Sequence, residues 1–64
     1  MVPKFTPGQS VKSRSTEQRG KVVLNTLVDD RWVVIVDIPH GQATLRQHFA
    51  EPDLELIPDS RSAQ

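Results

Sequence analysis

The most constraining feature of the sequence is an eight-residue run, residues 31–38, that is apolar on both sides of an extended chain. Six of its residues are apolar, and four β-branched residues follow one another from Val33 to Val36. β-Branched side chains favour strands. Even-numbered residues from Trp32 share one side and Val33 and Ile35 share the other, so neither side suits full contact with water. The run therefore predicts a strand in the middle of a sheet.

The chain has 64 residues and no cysteine. A domain of this size buries only about 60% of the surface that its unfolded chain exposes, so its core must be small. Without cysteine, a disulfide and a cysteine-ligated zinc site are excluded. His40 and His48 are the only imidazoles, and we expect no metal and no other cofactor.

No apolar run approaches the 18 or so residues of a membrane-spanning helix. The first residues also lack the apolar centre of an export signal. The sequence therefore predicts a cytoplasmic protein without a membrane partner.

Turn-forming residues divide the remainder of the chain into further strands. Pro7-Gly8 suits the two central positions of a type II turn, in which Gly8 takes a positive φ. Asp29-Asp30 and residues 39–42 predict two hairpin turns, and Pro52-Asp53 predicts a short 3₁₀ turn. The predicted strands are residues 9–13, 21–28, 31–38, 43–49 and 54–57, with an exposed polar loop after the first.

Five short strands are too few for a two-sheet sandwich, and they suit a small, strongly bent antiparallel barrel. The predicted fold class is therefore all-β, a five-stranded antiparallel barrel with a 3₁₀ turn before the last strand. Residues 1–4 are predicted as an N-terminal arm, 5–58 as the barrel and 59–64 as a flexible tail. Alternation predicts the following inward-facing side chains: Val11, Trp32, Val34, Val36, Ala43, Leu45 and Phe49.

Four segments carry a resemblance to a known group of folds. They are residues 5–11 (Phe-Thr-Pro-Gly-Gln-Ser-Val), 19–23 (Arg-Gly-Lys-Val-Val), 32–38 (Trp-Val-Val-Ile-Val-Asp-Ile) and 49–57 (Phe-Ala-Glu-Pro-Asp-Leu-Glu-Leu-Ile). In this order the chain resembles the SH3-like barrels, in particular small bacterial members of Tudor-like and KOW-like type. Such barrels are appended to helicases and to RNA-polymerase-associated translocases. The resemblance implies a non-enzymatic binding module in that setting.

One enzyme group also has this fold and a similar length, the trimethoprim-insensitive dihydrofolate reductases. Their catalytic strand carries a Val-Gln-Ile-Tyr signature. The corresponding residues 43–49 here read Ala-Thr-Leu-Arg-Gln-His-Phe, and the chain contains no tyrosine. His40 and His48 also lack the partners of a catalytic triad. We therefore expect no enzymatic activity.

The net charge of zero conceals a division of charge along the chain. Residues 1–28 carry +4 and residues 29–64 carry −4. This division either marks a surface that faces a polyanion or reflects attraction between two halves of one fold. Basic side chains and nearby hydroxyls of Ser10, Ser13, Ser15 and Thr16 are suited to phosphate contacts. The predicted nucleic-acid contacts are Lys12, Arg14, Arg19, Lys21 and Arg46.

With one tryptophan, two phenylalanines and no tyrosine, base stacking would be poor, so contact with DNA or RNA should be backbone-directed and unspecific. Trp32 could stack on a base, although its alternation with Val34 favours a core position, and a methyl-lysine cage would need more aromatics. The alternative function is protein docking or self-association without nucleic-acid binding, through Val33, Ile35 and an open sheet edge.

Overall fold

The computed structural model describes residues 2–58, and these form five antiparallel strands and a single 3₁₀ turn. The predicted tail, residues 59–64, lies outside them. The strands are β1 (Ser10–Ser13), β2 (Arg19–Val28), β3 (Arg31–His40), β4 (Ala43–Ala50) and β5 (Leu54–Leu56), and the 3₁₀ turn spans Glu51–Asp53.

All five strands belong to one sheet in the order β4-β3-β2-β1-β5. The all-β class, the strand number and the 3₁₀ turn predicted from the sequence are confirmed. β3 lies inside the sheet, as its two apolar sides predicted. In residues 2–58, no ladder joins the two edge strands β4 and β5. The sheet is therefore not closed into a barrel.

The predicted turns have the expected backbone geometry. Gly8 has a φ of +95°, and the Gln9 N–H donates to the Thr6 carbonyl across the turn at 3.2 Å. Asp29 and Asp30 have φ values of 50° and 64°, so they form the two central residues of a type I′ hairpin turn without a glycine. Short polar side chains such as aspartate tolerate this left-handed region better than most.

β2 changes partners along its length, and an irregularity marks the change. Arg19 and Gly20 pair with β1, whereas the ladder with β3 begins at Lys21 opposite Asp37 and shifts register between Val22 and Leu24. Such a bulge bends a strand and increases its twist. The bend allows one continuous sheet to enclose a small core.

The core lies on the concave side of this bent sheet. Its fully buried members come from β1, β2, β3, β5 and the segment before β1: Phe5, Val11, Val22, Val34, Val36, Ile38 and Leu54. Phe49 of β4 is half-buried against them. The inward positions predicted for Val11, Val34 and Val36 are confirmed.

The predictions for β4 were wrong in part. Ala43 is exposed and Leu45 is 38% exposed, although both lie on the same side of the sheet as the core. The reason is that β4 is an edge strand and the β3–β4 hairpin extends past the elements that cover the core. Trp32 shares the core side, as predicted, but it is only half-buried because it lies near the opposite end of β3.

No helix among residues 2–58 has the length and the apolar character that crossing a membrane requires.

Candidate nucleic-acid interface

Strand register places four of the five predicted cations on the outer side of the sheet. Val11 faces the core, so its neighbour Lys12 faces outward, and Lys12 pairs directly with Arg19 on β2. Lys21 pairs with Asp37, and Asp37 pairs with Arg46 on β4. These residues therefore share one side of three neighbouring ladders, which their spacing in the sequence does not reveal.

An open groove crosses this outer side where β2 and β3 separate. Their ladder ends at Lys21 and Asp37, after which β2 continues beside β1 and β3 continues beside β4. The space between the diverging strands has a volume of about 530 Å³. The groove is lined by Ser10, Arg19, Gly20, Lys21, Asp37, Pro39, Thr44 and Ile57.

Two residues in the groove determine how β2 and β3 approach each other and where their ladder ends. A Cβ atom on Gly20 would lie 2.3 Å from the Asp37 carbonyl oxygen, so only glycine allows β2 to approach β3 this closely. Pro39 has no N–H to donate to a further ladder. Gly20 thus brings the strands together at the end of their ladder, and Pro39 prevents the ladder from continuing.

Arg46 is engaged by Asp37. Its Nε and Nη2 atoms donate to the two Asp37 carboxylate oxygens at 2.8 and 3.2 Å. The hydrogen bond from Arg46 lowers the pKa of Asp37, and the same contact raises the pKa of Arg46. This bidentate pair neutralises the carboxylate at the groove, and it leaves Arg19 and Lys21 as the cations that line it.

Arg14 lies apart from this set. It follows the last residue of β1, and its Nε atom is 3.6 Å from a carboxylate oxygen of Glu55 on β5, which lies beside β1 in the sheet. Glu55 also pairs with Lys12 in the β1–β5 ladder. The structure therefore brings Lys12, Arg19 and Lys21 together, and it places Arg14 and Arg46 in ion pairs with Glu55 and Asp37.

The hydroxyl groups of the first loop are used within the protein rather than offered to a ligand. Ser13 is completely buried, and its hydroxyl donates to Asp53 at 2.7 Å. Ser15 donates to the same carboxylate oxygen at 3.1 Å, and Thr16 donates to Gln18 at 3.2 Å. The sequence suggested these hydroxyls for phosphate contacts, and in the structure those of Ser13, Ser15 and Thr16 have hydrogen-bond partners within the protein. They hold the loop against the 3₁₀ turn instead.

These hydrogen bonds also act on Asp53. The Ser13 hydroxyl lowers the pKa of its carboxyl group, because a donor stabilises the charged form, and Ser15 adds to the effect. The Arg14 N–H donates to the Asp53 carbonyl at 2.7 Å. Asp53 therefore connects the 3₁₀ turn to β1 through both its side chain and its backbone.

The residues predicted for protein docking lie further along the outer side. Ile35 pairs with Leu24 and His48, and Val33 pairs with Thr26 and Ala50. Val33 and Ile35 are half-buried, and Leu24 beside them is 43% exposed. An apolar surface therefore adjoins the basic one on the same side of the sheet.

The remaining candidate residues do not form a chemical site. His40 and His48 are exposed on different strands, and residues 2–58 contain no cluster of three side chains suited to a metal ion. The Trp32 indole Nε1 is buried without a hydrogen-bond partner in this part of the chain. This orientation places the polar edge of the ring inward, away from a ligand at the surface.

Sequence reasoning missed the groove-lining Pro39, Thr44 and Ile57. Pro39 near the end of a strongly predicted strand was the available signal, because proline cannot extend a ladder. The contribution of Ile57 depends on the β1–β5 pairing, which local patterns do not reveal.

Comparison of the chain with protein-family models, with curated proteins and with solved structures found no match.

Proposed function

We propose that this chain is a small, non-enzymatic, SH3-like module that contacts the backbone of DNA or RNA weakly through Lys12, Arg19 and Lys21. The observation that supports the proposal best is the groove between the diverging ends of β2 and β3, which Arg19 and Lys21 line. The two side chains are exposed and belong to one strand, two residues apart. Cations at this spacing suit successive phosphates of an extended strand.

The groove offers little for base recognition. Apart from its charged members it presents no aromatic ring, since the other lining residues are Ser10, Gly20, Pro39, Thr44 and Ile57. Stacking on aromatic side chains supplies most of the sequence-tolerant affinity for single strands. Contact would therefore depend on charge, which is the mode that the resemblance to helicase-associated barrels also implies.

Fluorescence anisotropy with labelled duplex and single-stranded oligonucleotides at low salt tests the proposal. Three phosphate contacts correspond to a slope of log affinity against log salt of about −3 for duplex DNA. Neutralising Arg19→Gln and Lys21→Gln together should reduce this slope to about −1. Absence of binding at about 100 μM protein, the weak end of non-specific affinity, would contradict the proposal.

A matched variant separates the site from the overall charge. Lys4→Gln with Arg31→Gln removes the same two charges, and neither residue lines the groove. We expect this control to bind nearly as well as the wild-type chain. Equal weakening of both double variants would show that net charge rather than the groove determines binding. The apolar surface of Val33 and Ile35 would then favour the docking alternative.

A further inference from the structure

The edge strand β4 has a row of backbone groups without partners among residues 2–58. β4 pairs with β3 over eight consecutive residues, and its other edge belongs to no ladder. His40 and Ala43 flank a two-residue turn, so they form a pair that exchanges both hydrogen bonds. Because bonded and non-bonded pairs alternate, every second residue of β4 points its N–H and C=O away from β3.

Alternation identifies which residues carry these free groups. Pro39 opposite Thr44 agrees with the assignment, because a residue in a non-bonded pair directs its nitrogen away from the partner strand and proline has no hydrogen there. The free groups are the N–H and C=O groups of Thr44, Arg46 and His48 and the N–H of Ala50. The Ala50 carbonyl caps the 3₁₀ turn and accepts the first hydrogen bond of that turn.

We propose that β4 pairs antiparallel with β4 of a second copy of this chain, about a twofold axis through Gln47. In this register Arg46 lies opposite His48 of the other copy and Thr44 lies opposite its Ala50. Residues whose backbone groups point away from β3 thus pair only with one another. Because the Ala50 carbonyl of each copy is already used in its 3₁₀ turn, this pairing gives about six intermolecular hydrogen bonds. Pairing of this kind removes the exposed edge that a sheet otherwise presents.

The apolar side chains favour the same register. Leu45 is 38% exposed and Phe49 is half-buried, and both lie on the core side of β4. The axis through Gln47 places Leu45 of each copy opposite Phe49 of the other, so the core continues across the interface. Phe49 of the second copy would thus pack beside Leu45, which is partly exposed within one chain.

Neighbouring registers are less favourable. An axis through Arg46 would set the two Arg46 guanidinium groups directly opposite each other, and like charges in such pairs are destabilising. An axis through His48 would place Leu45 opposite Glu51. A shift by one residue would set the free backbone groups of one β4 opposite groups of the other β4 that are already bonded to β3. The intermolecular hydrogen bonds would then be lost.

The register can be tested at the axis itself, where Gln47 faces Gln47 of the second copy. Gln47 is exposed, so charged substitutions there should leave the fold intact. We expect native mass spectrometry and sedimentation to give twice the 7.2 kDa chain mass for the wild type. Gln47→Lys and Gln47→Glu should each weaken the dimer by at least about tenfold, because two like charges meet at the axis. An equimolar mixture of the two variants should form the heterodimer.

Two controls complete the experiment. Thr44→Lys and Thr44→Glu place the same charges on β4 away from the axis. Each of these variants should therefore form a homodimer by itself. His48→Pro removes an N–H that is free within one chain and should dissociate the dimer, whereas His48→Ala keeps the N–H and should not. Circular dichroism checks that each variant is folded.

Two results would overturn the proposal. One is a wild-type chain that stays monomeric at millimolar concentration. The other is a dimer that both Gln47 variants retain separately, which would place the interface elsewhere, for example on the Val33 and Ile35 surface.

Discussion

Two parts of the sheet are held in opposite ways. At one, β1 is fixed to the 3₁₀ turn by Ser13 and Asp53, residues 40 apart in the sequence. At the other, the edge strand β4 is held by its ladder with β3 and by the Asp37–Arg46 pair, only nine residues apart. The first part depends on the whole fold, whereas the second is largely local. The buried core residues lie on the other elements and β4 adds the half-buried Phe49, so stability to unfolding should reside mainly in the first part.

The largest expected effect is therefore at Phe5, which reaches the core from outside the sheet. Phe5 is 1% exposed, and its carbonyl oxygen accepts a hydrogen bond from Asn25 at 2.7 Å. Phe5→Ala should cost about 3–5 kcal/mol, which is most of the stability of a small domain. Thermal and urea unfolding followed by circular dichroism would measure it.

Leu45→Ala on the hairpin is the matched substitution, because it also truncates an apolar side chain on the core side. At low protein concentration it should cost less than about 1 kcal/mol, since Leu45 is partly exposed. Comparable losses of stability for Phe5→Ala and Leu45→Ala would mean that β4 contributes as much to the core as the rest of the sheet. That result would contradict the difference between the two parts.

The next effect compares two glycines. A Cβ on Gly20 meets the Asp37 carbonyl, whereas Gly41 in the hairpin turn has open space around it and a φ of +64°. Gly20→Ala should cost about 2–3 kcal/mol, because two backbones must move apart. Gly41→Ala meets only the left-handed backbone penalty of about 1 kcal/mol. Urea midpoints in the opposite order would show that β2 can move away from β3 easily.

The same contrast explains which features the sequence could predict. The turns at Gly8 and Asp29-Asp30 and the central position of β3 follow from local residue preferences, and all are present in the structure. Leu45 alternates like a core residue, yet its burial depends on whether another element covers the hairpin. The alternation of apolar and polar residues predicts which side of the sheet a side chain faces. It does not predict whether another element packs over that side.

The residues of the candidate interface also differ in how far the sequence could predict their contacts. Lys12 and Arg19 were both predicted as nucleic-acid contacts from their charge, and the register pairs them directly. Arg46 was included on charge alone, and no local pattern indicated its bond to Asp37. Ser13 was included among the hydroxyls suited to phosphate, because its partner, Asp53, is distant in the sequence.

The smallest expected effect is a loss of stability at acid pH, and it concerns the carboxylates of Asp53 and Asp37. The folded-state pKa is lowered at Asp53 by the Ser13 hydroxyl and at Asp37 by Arg46. A lowered folded pKa means that each carboxylate stabilises the fold above its unfolded pKa of about 3.9, and that this contribution is lost as the pH falls through the folded value. Stability should therefore decline below about pH 4.

Salt then distinguishes the two contributions. The Asp37–Arg46 pair is exposed, so about 0.5 M salt should weaken it, whereas the hydroxyl donors of Asp53 are neutral and are not screened. In high salt, Asp53→Asn should flatten the acid decline and Asp37→Asn should leave it nearly unchanged, as measured by urea unfolding between about pH 2 and pH 6. The amide of Asp53→Asn can still accept from Ser13, so the fold should persist. An equal flattening by both variants in high salt would show that the hairpin ion pair is as well protected as the Ser13–Asp53 contact.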